Sequence, residues 1–121
     1  MRAHVLAVLD ELAGLGASVQ AMTDVGLGET GRLRFQPMLM ARQIAVREQD
    51  WVHEQLRGGP PGPVTEVLMG YWFLLLQVEL KTDALFAPIP AEPPDEAAAA
   101  SGEAIGRLLA LRPDVERLPG P

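Results

Sequence analysis

The chain contains no cysteine. A disulfide framework, a zinc–thiolate site and a cysteine nucleophile are therefore excluded. Histidine occurs twice, at His4 and His53, which is too few for a three-histidine metal centre. Serine also occurs twice, at Ser18 and Ser101. Neither lies in the sharp strand-to-helix turn that presents a catalytic serine. Lysine occurs once, as Lys81.

Positive charge is scarce. Ten basic residues face 16 acidic ones, for a net charge of -6. Residues 1–60 carry 6 basic against 7 acidic groups, and residues 61–121 carry 4 against 9. Neither half is basic. Affinity for nucleic acid rests on neutralising phosphates, so no nucleic-acid partner is expected. Steering to an anionic membrane is not expected either.

Long apolar runs are missing. The longest, residues 67–76, has ten residues with Gly70 inside it, about half of what a membrane span needs. The apolar run 3–9 ends at Asp10 and Glu11, too soon for a secretory signal peptide. These features predict a cytoplasmic protein. The preference for Arg over Lys, with abundant Ala, Gly and Pro, suggests a GC-rich coding sequence and a bacterial or phage source.

What is present is helical periodicity interrupted by glycine and proline. Over residues 3–25, Val5, Val8, Leu9, Leu12, Leu15, Val19 and Met22 recur at spacings of three and four, which predicts a first helix. His4, at its start, is expected to be solvated. Residues 26–34 read as a loop. Its Gly-x-Gly-x-x-Gly letters at 26–31 follow a helix and not a strand, so they do not predict a dinucleotide site.

Residues 36–57 predict a second helix, with Pro37 in its first turn. Arg42, Arg47, Glu48, Asp50, Glu54 and Arg57 are assigned to its wet side. The stretch Gly-Gly-Pro-Pro-Gly-Pro at 58–63 is a hard break. A third helix follows over 64–86. It is apolar nearly all round, so it is expected to be central and covered on most sides. Residues 88–95 read as a proline-rich linker. Residues 96–118 then predict a C-terminal amphipathic helix with Asp95 as N-cap, Ser101 as a rival start, and a short extra turn at 113–118.

The fold expected is all-α: a small antiparallel helical bundle of three long helices (core, 1–87) plus a tethered C-terminal helix. That helix would dock on the bundle or on a partner protomer.

Three functional readings follow. The first is a non-enzymatic helical interaction or oligomerisation protein, acting as a homo-oligomer, with a dimer expected, or with another protein. Tyr71, Trp72, Phe73, Leu76, Ile105, Leu108 and Leu109 would form its surface. Consecutive Tyr71, Trp72 and Phe73 span about 200° of a helix, more than one neighbour covers. The second is a metal-binding bundle enzyme or metal store. Asp50 and His53 are three apart and Asp50 and Glu54 four apart, so they share a helix face, with Glu66 and Glu79 as further ligands for a divalent metal. The same residues also read as a solvated face of ordinary ion pairs. Glu79 and Asp83 likewise read as an exposed pair near Lys81. The third is a small-molecule pocket built around Trp51, Met69 and Trp72. No cofactor is required by any motif in the chain.

Overall fold

The computed structural model describes residues 1–24, 36–86 and 94–119, the side chains of 16–24, 36, 94 and 95 excepted. These residues form α1 (Arg2–Asp24), α2 (Gln36–Arg57), α3 (Gly62–Leu85), α4 (Pro94–Leu109) and the short α5 (Arg112–Glu116). No strand occurs among them. The expected loop at 26–34 and most of the linker at 88–95 lie outside the described residues.

Proline stands in the first turn of four helices: Pro37 in α2, Pro63 in α3, Pro94 in α4 and Pro113 in α5. A first-turn N–H has no helical partner, so proline loses nothing there, and its fixed φ suits the helix. This is why α3 starts at Gly62, two residues before the hydrophobic pattern, and α4 at Pro94. Asp95 consequently lies inside α4 and is not its N-cap. Ser101 is also mid-helix. Its hydroxyl donates to the Ala97 carbonyl at 2.9 Å, so it starts no helix.

The break between α2 and α3 is a tight turn. The Gly58 N–H donates to the Gln55 carbonyl and the Gly59 N–H to that of Leu56. Gly59 has φ +64, a value that side chains resist and glycine accepts. The Thr65 hydroxyl donates back to the Pro60 carbonyl at 3.1 Å and ties the turn to α3.

The turn makes α2 and α3 antiparallel neighbours. Arg42 pairs with Asp83 at one end, and the His53 and Trp72 rings meet edge-to-face nearer the other. α4 packs along the other side of α3, while α1 packs against α2 and α4 and holds α5. The four long helices form the corners of a bundle in which α1 and α3 are diagonal. One core unites them, with Leu9 and Leu12 of α1, Met38 and Val52 of α2, Leu68 and Leu75 of α3, and Leu108 of α4. Truncating one such leucine to alanine costs about 2–5 kcal/mol. Val115 of α5 and Leu118 join the same core.

The C-terminal helix is docked on its own bundle, with Ala97, Ala98, Ser101, Ala104, Ile105 and Leu108 buried. One expectation changes here. α3 is a corner and not a covered centre. It buries Val64, Leu68, Tyr71, Leu75, Val78 and Thr82, spaced three and four apart, and leaves its opposite face open.

Candidate functional site

The open face of α3 carries Met69, Phe73 and Leu80, exposed by 57%, 55% and 52%. Leu76 lies between them on the same stripe, partly exposed. A helix advances 100° per residue, so these positions lie opposite the buried stripe. Their spacing of four, three and four is that of a coiled-coil seam. Glu66 continues the stripe at one end and Asp83 at the other, both exposed. Val46 of α2, also exposed, lies one turn from Arg42, the α2 residue that reaches Asp83.

Of the seven residues expected to form an interaction surface, Phe73 is exposed and Leu76 partly so. Trp72 and Leu109 pack partly buried against the core. Tyr71, Ile105 and Leu108 are buried in it. They occupy the inward stripes of α3 and α4, so they are not available at the surface. Met69 and Leu80 complete the face instead. Sequence spacing could have found them, because each lies four residues from a neighbour on the stripe.

Behind this face, on the inner side of α3, is a buried polar junction. Glu48 is 1% exposed. Its residue type suggests the wet side of α2, but its position continues the buried series Ala41, Ala45 and Val52. Glu48 Oε1 accepts hydrogen bonds from the Tyr71 hydroxyl at 3.0 Å and from His4 Nε2 at 2.7 Å. Glu48 Oε2 accepts from Arg47 Nε at 3.3 Å. A buried carboxylate is tolerated when donors of this kind surround it.

His4 is not free in solvent as expected. Its ring lies flat on the Trp51 indole, with centroids 3.9 Å apart and 7° between planes. Trp51 in turn meets Tyr71 edge-on at 6.5 Å. Burial first, and then the Glu48 carboxylate, pushes the Tyr71 phenol well above the ordinary tyrosine range. Tyr71 therefore keeps its proton and remains a donor. The junction fastens α1, α2 and α3 together.

The five candidate metal ligands are not drawn together. Asp50, His53, Glu54 and Glu66 are exposed. Glu54 pairs with Arg57 at 2.8 Å, the His53 ring packs on Trp72 at 6.2 Å, and Glu79 accepts from Gln49 Nε2 at 2.8 Å. Among the described residues no three acidic or histidine side chains are grouped to hold a metal ion. Asp83 is occupied by Arg42, so Glu79 and Asp83 each serve the α2–α3 seam and do not pair with Lys81.

The candidate pocket residues also separate. Trp51 is enclosed by His4 and Tyr71, whereas Met69 points outward. Among the described residues, the buried Trp72 indole N–H has no hydrogen-bond partner. Two clefts lie elsewhere. One of about 570 Å³ runs between the start of α3 and the C-terminal segment, with Val67, Gly70, Leu111 and Leu118 among its walls. A second of about 130 Å³ between α3 and α4 is bordered by Gln77, Lys81, Glu103 and Arg107. Arg107 is already paired with Glu103 at 2.6 Å.

No family model, curated protein or solved structure matches the chain. Among the described residues, no helix is long and apolar enough to cross a membrane.

Proposed function

We propose that the chain is a non-enzymatic helical association protein whose working surface is the outer face of α3. The observation that carries this reading is the exposed stripe of Met69, Phe73 and Leu80. Contiguous apolar patches rimmed by polar residues mark interaction sites, because leaving them in water is unfavourable at about 25 cal/mol per Å². The rim is present in Glu66, Asp83 and Arg42. A helix laid against this stripe would bury it in the manner of other helix-on-helix recognition. The C-terminal helix is used inside the bundle, so the proposed surface belongs to α3 with the adjoining edge of α2.

The test is native mass spectrometry with light scattering across a concentration series. Association is expected, and the double variant Phe73→Glu, Leu80→Glu should return the chain to monomer with an unchanged helical circular dichroism spectrum. A wild-type chain that stays monomeric at the highest attainable concentration overturns self-association. A double variant that still associates overturns the surface.

A further inference from the structure

The outer face of α3 is symmetric along its length. Its residues Glu66, Met69, Phe73, Leu76, Leu80 and Asp83 are spaced three, four, three, four and three. The pattern has an acid, four apolar residues and an acid, and it reads the same from either end about a point midway between residues 74 and 75. A two-fold interface requires a surface to complement its own copy. A stripe with this palindrome meets that condition when two copies run antiparallel. Met69 then lies level with the partner's Leu80, Phe73 with the partner's Leu76, and Glu66 with the partner's Asp83.

The charges at the ends select the direction. Among the described residues Glu66 has no hydrogen-bond or ion-pair partner. At the other end Arg42 contacts Asp83 through Nε, and a guanidinium has five donor hydrogens in all. In the antiparallel arrangement the partner's Glu66 arrives beside Arg42, which has donors left for a second carboxylate. A parallel arrangement sets Glu66 against Glu66 with no cation between them. Acids at both ends and a net charge of -6 oppose an anionic membrane as the occupant. A different protein would have no reason to match the palindrome.

Resting on the reading of α3 as an association surface, we propose that it pairs with the same face of a second copy of this chain. The helices run antiparallel, and Glu66 of each copy sits beside Arg42 of the other. A stable interface takes about 800 Å² from each partner. A seam two heptads long supplies part of that, so the dimer is reversible and concentration-dependent.

The absence of cysteine gives a clean test. Met69→Cys and Leu80→Cys are purified separately, mixed, and treated with a short bis-maleimide. In the antiparallel register position 69 faces the partner's position 80. Two copies of position 69 lie about 16 Å apart along the helix axis, as do two copies of position 80. The mixture should give covalent dimers containing one chain of each kind, and neither variant alone should give them. Cross-linking of Met69→Cys with itself shows parallel pairing and overturns the register, while the association surface stands. A wild-type dimer by native mass with no cross-link in any sample overturns the α3 contact itself. A monomeric wild type overturns the association reading. If the substitutions themselves weaken pairing, Glu66→Cys mixed with Asp83→Cys reports the same register from the rim.

The charge contact has its own readout. Glu66→Arg should raise the dimer dissociation constant about threefold to tenfold, and adding Arg42→Glu should bring it back toward wild type. Failure of the second change to restore pairing overturns the contact.

Discussion

The Tyr71 hydroxyl donates to Glu48 Oε1 over 3.0 Å, joining α3 to α2 at a point where both side chains are buried. The bond satisfies one polar group on each helix at once. Removing it through Tyr71→Phe is expected to cost about 1–2 kcal/mol in urea denaturation at neutral pH. Glu48→Ala should cost roughly 3–5 kcal/mol, because it strips an acceptor from Tyr71 and from His4 together. Equal costs for the two would mean that His4 contributes nothing.

The same tyrosine predicts an alkaline weakening. Its folded-state pKa is raised above the unfolded value of 10.0. The stability tied to that shift is fully present below about pH 10. Above it the unfolded chain loses the proton and the folded chain keeps it, so stability falls by about 1.4 kcal/mol per pH unit. Denaturation midpoints from pH 9 to 11 should diverge between wild type and Tyr71→Phe, with the variant showing the shallower decline. Parallel curves would overturn the assignment.

Gly70 predicts a gain. It lies within α3, and a Cβ added there meets nothing within 4 Å. Glycine in a helix interior is disfavoured by about 1 kcal/mol relative to alanine. Gly70→Ala should therefore raise stability by up to that amount in thermal melts. A loss of stability would show that the cleft beside Val67 and Leu111 closes on the helix more tightly than the structure shows.

The spread of the acidic residues and His53 predicts indifference to metal. Dialysis against a chelator, followed by additions of magnesium, manganese, iron or zinc, should leave Tm unchanged. A rise in Tm that disappears in Asp50→Ala, His53→Ala would restore the metal-site reading.

The helices were legible because proline and glycine punctuate them and three–four spacing fills them. The limits of α2 match the sequence expectation residue for residue, and those of α1 and α3 fall within two. What was not legible was which side of each helix faces in. α3 is apolar all round, so its composition could not say that Tyr71 is core while Phe73 is surface. That choice was made by α2 and α4 packing on one side. Glu48 is the opposite case. Its residue type points to water, but the register of Ala41, Ala45 and Val52 places it inward, and the cost of burial is offset by donors 23 and 44 residues away. No local pattern announces partners that distant. The same holds for His4, whose partners Glu48 and Trp51 lie on another helix.

One oxygen, Glu48 Oε1, receives donors from α1 and α3 while itself belonging to α2. Three segments distant in the chain thus share a single acceptor, and none can leave without stranding the others. If α1 were to peel away, Trp51 would lose the ring stacked on it and the Glu48 carboxylate a donor, with the remaining helices still closed around it. An opened intermediate of that kind is penalised twice. Deuterium exchange should therefore slow together at amides in α1, α2 and α3 near this junction, as one cooperative unit whose loss is the loss of the fold.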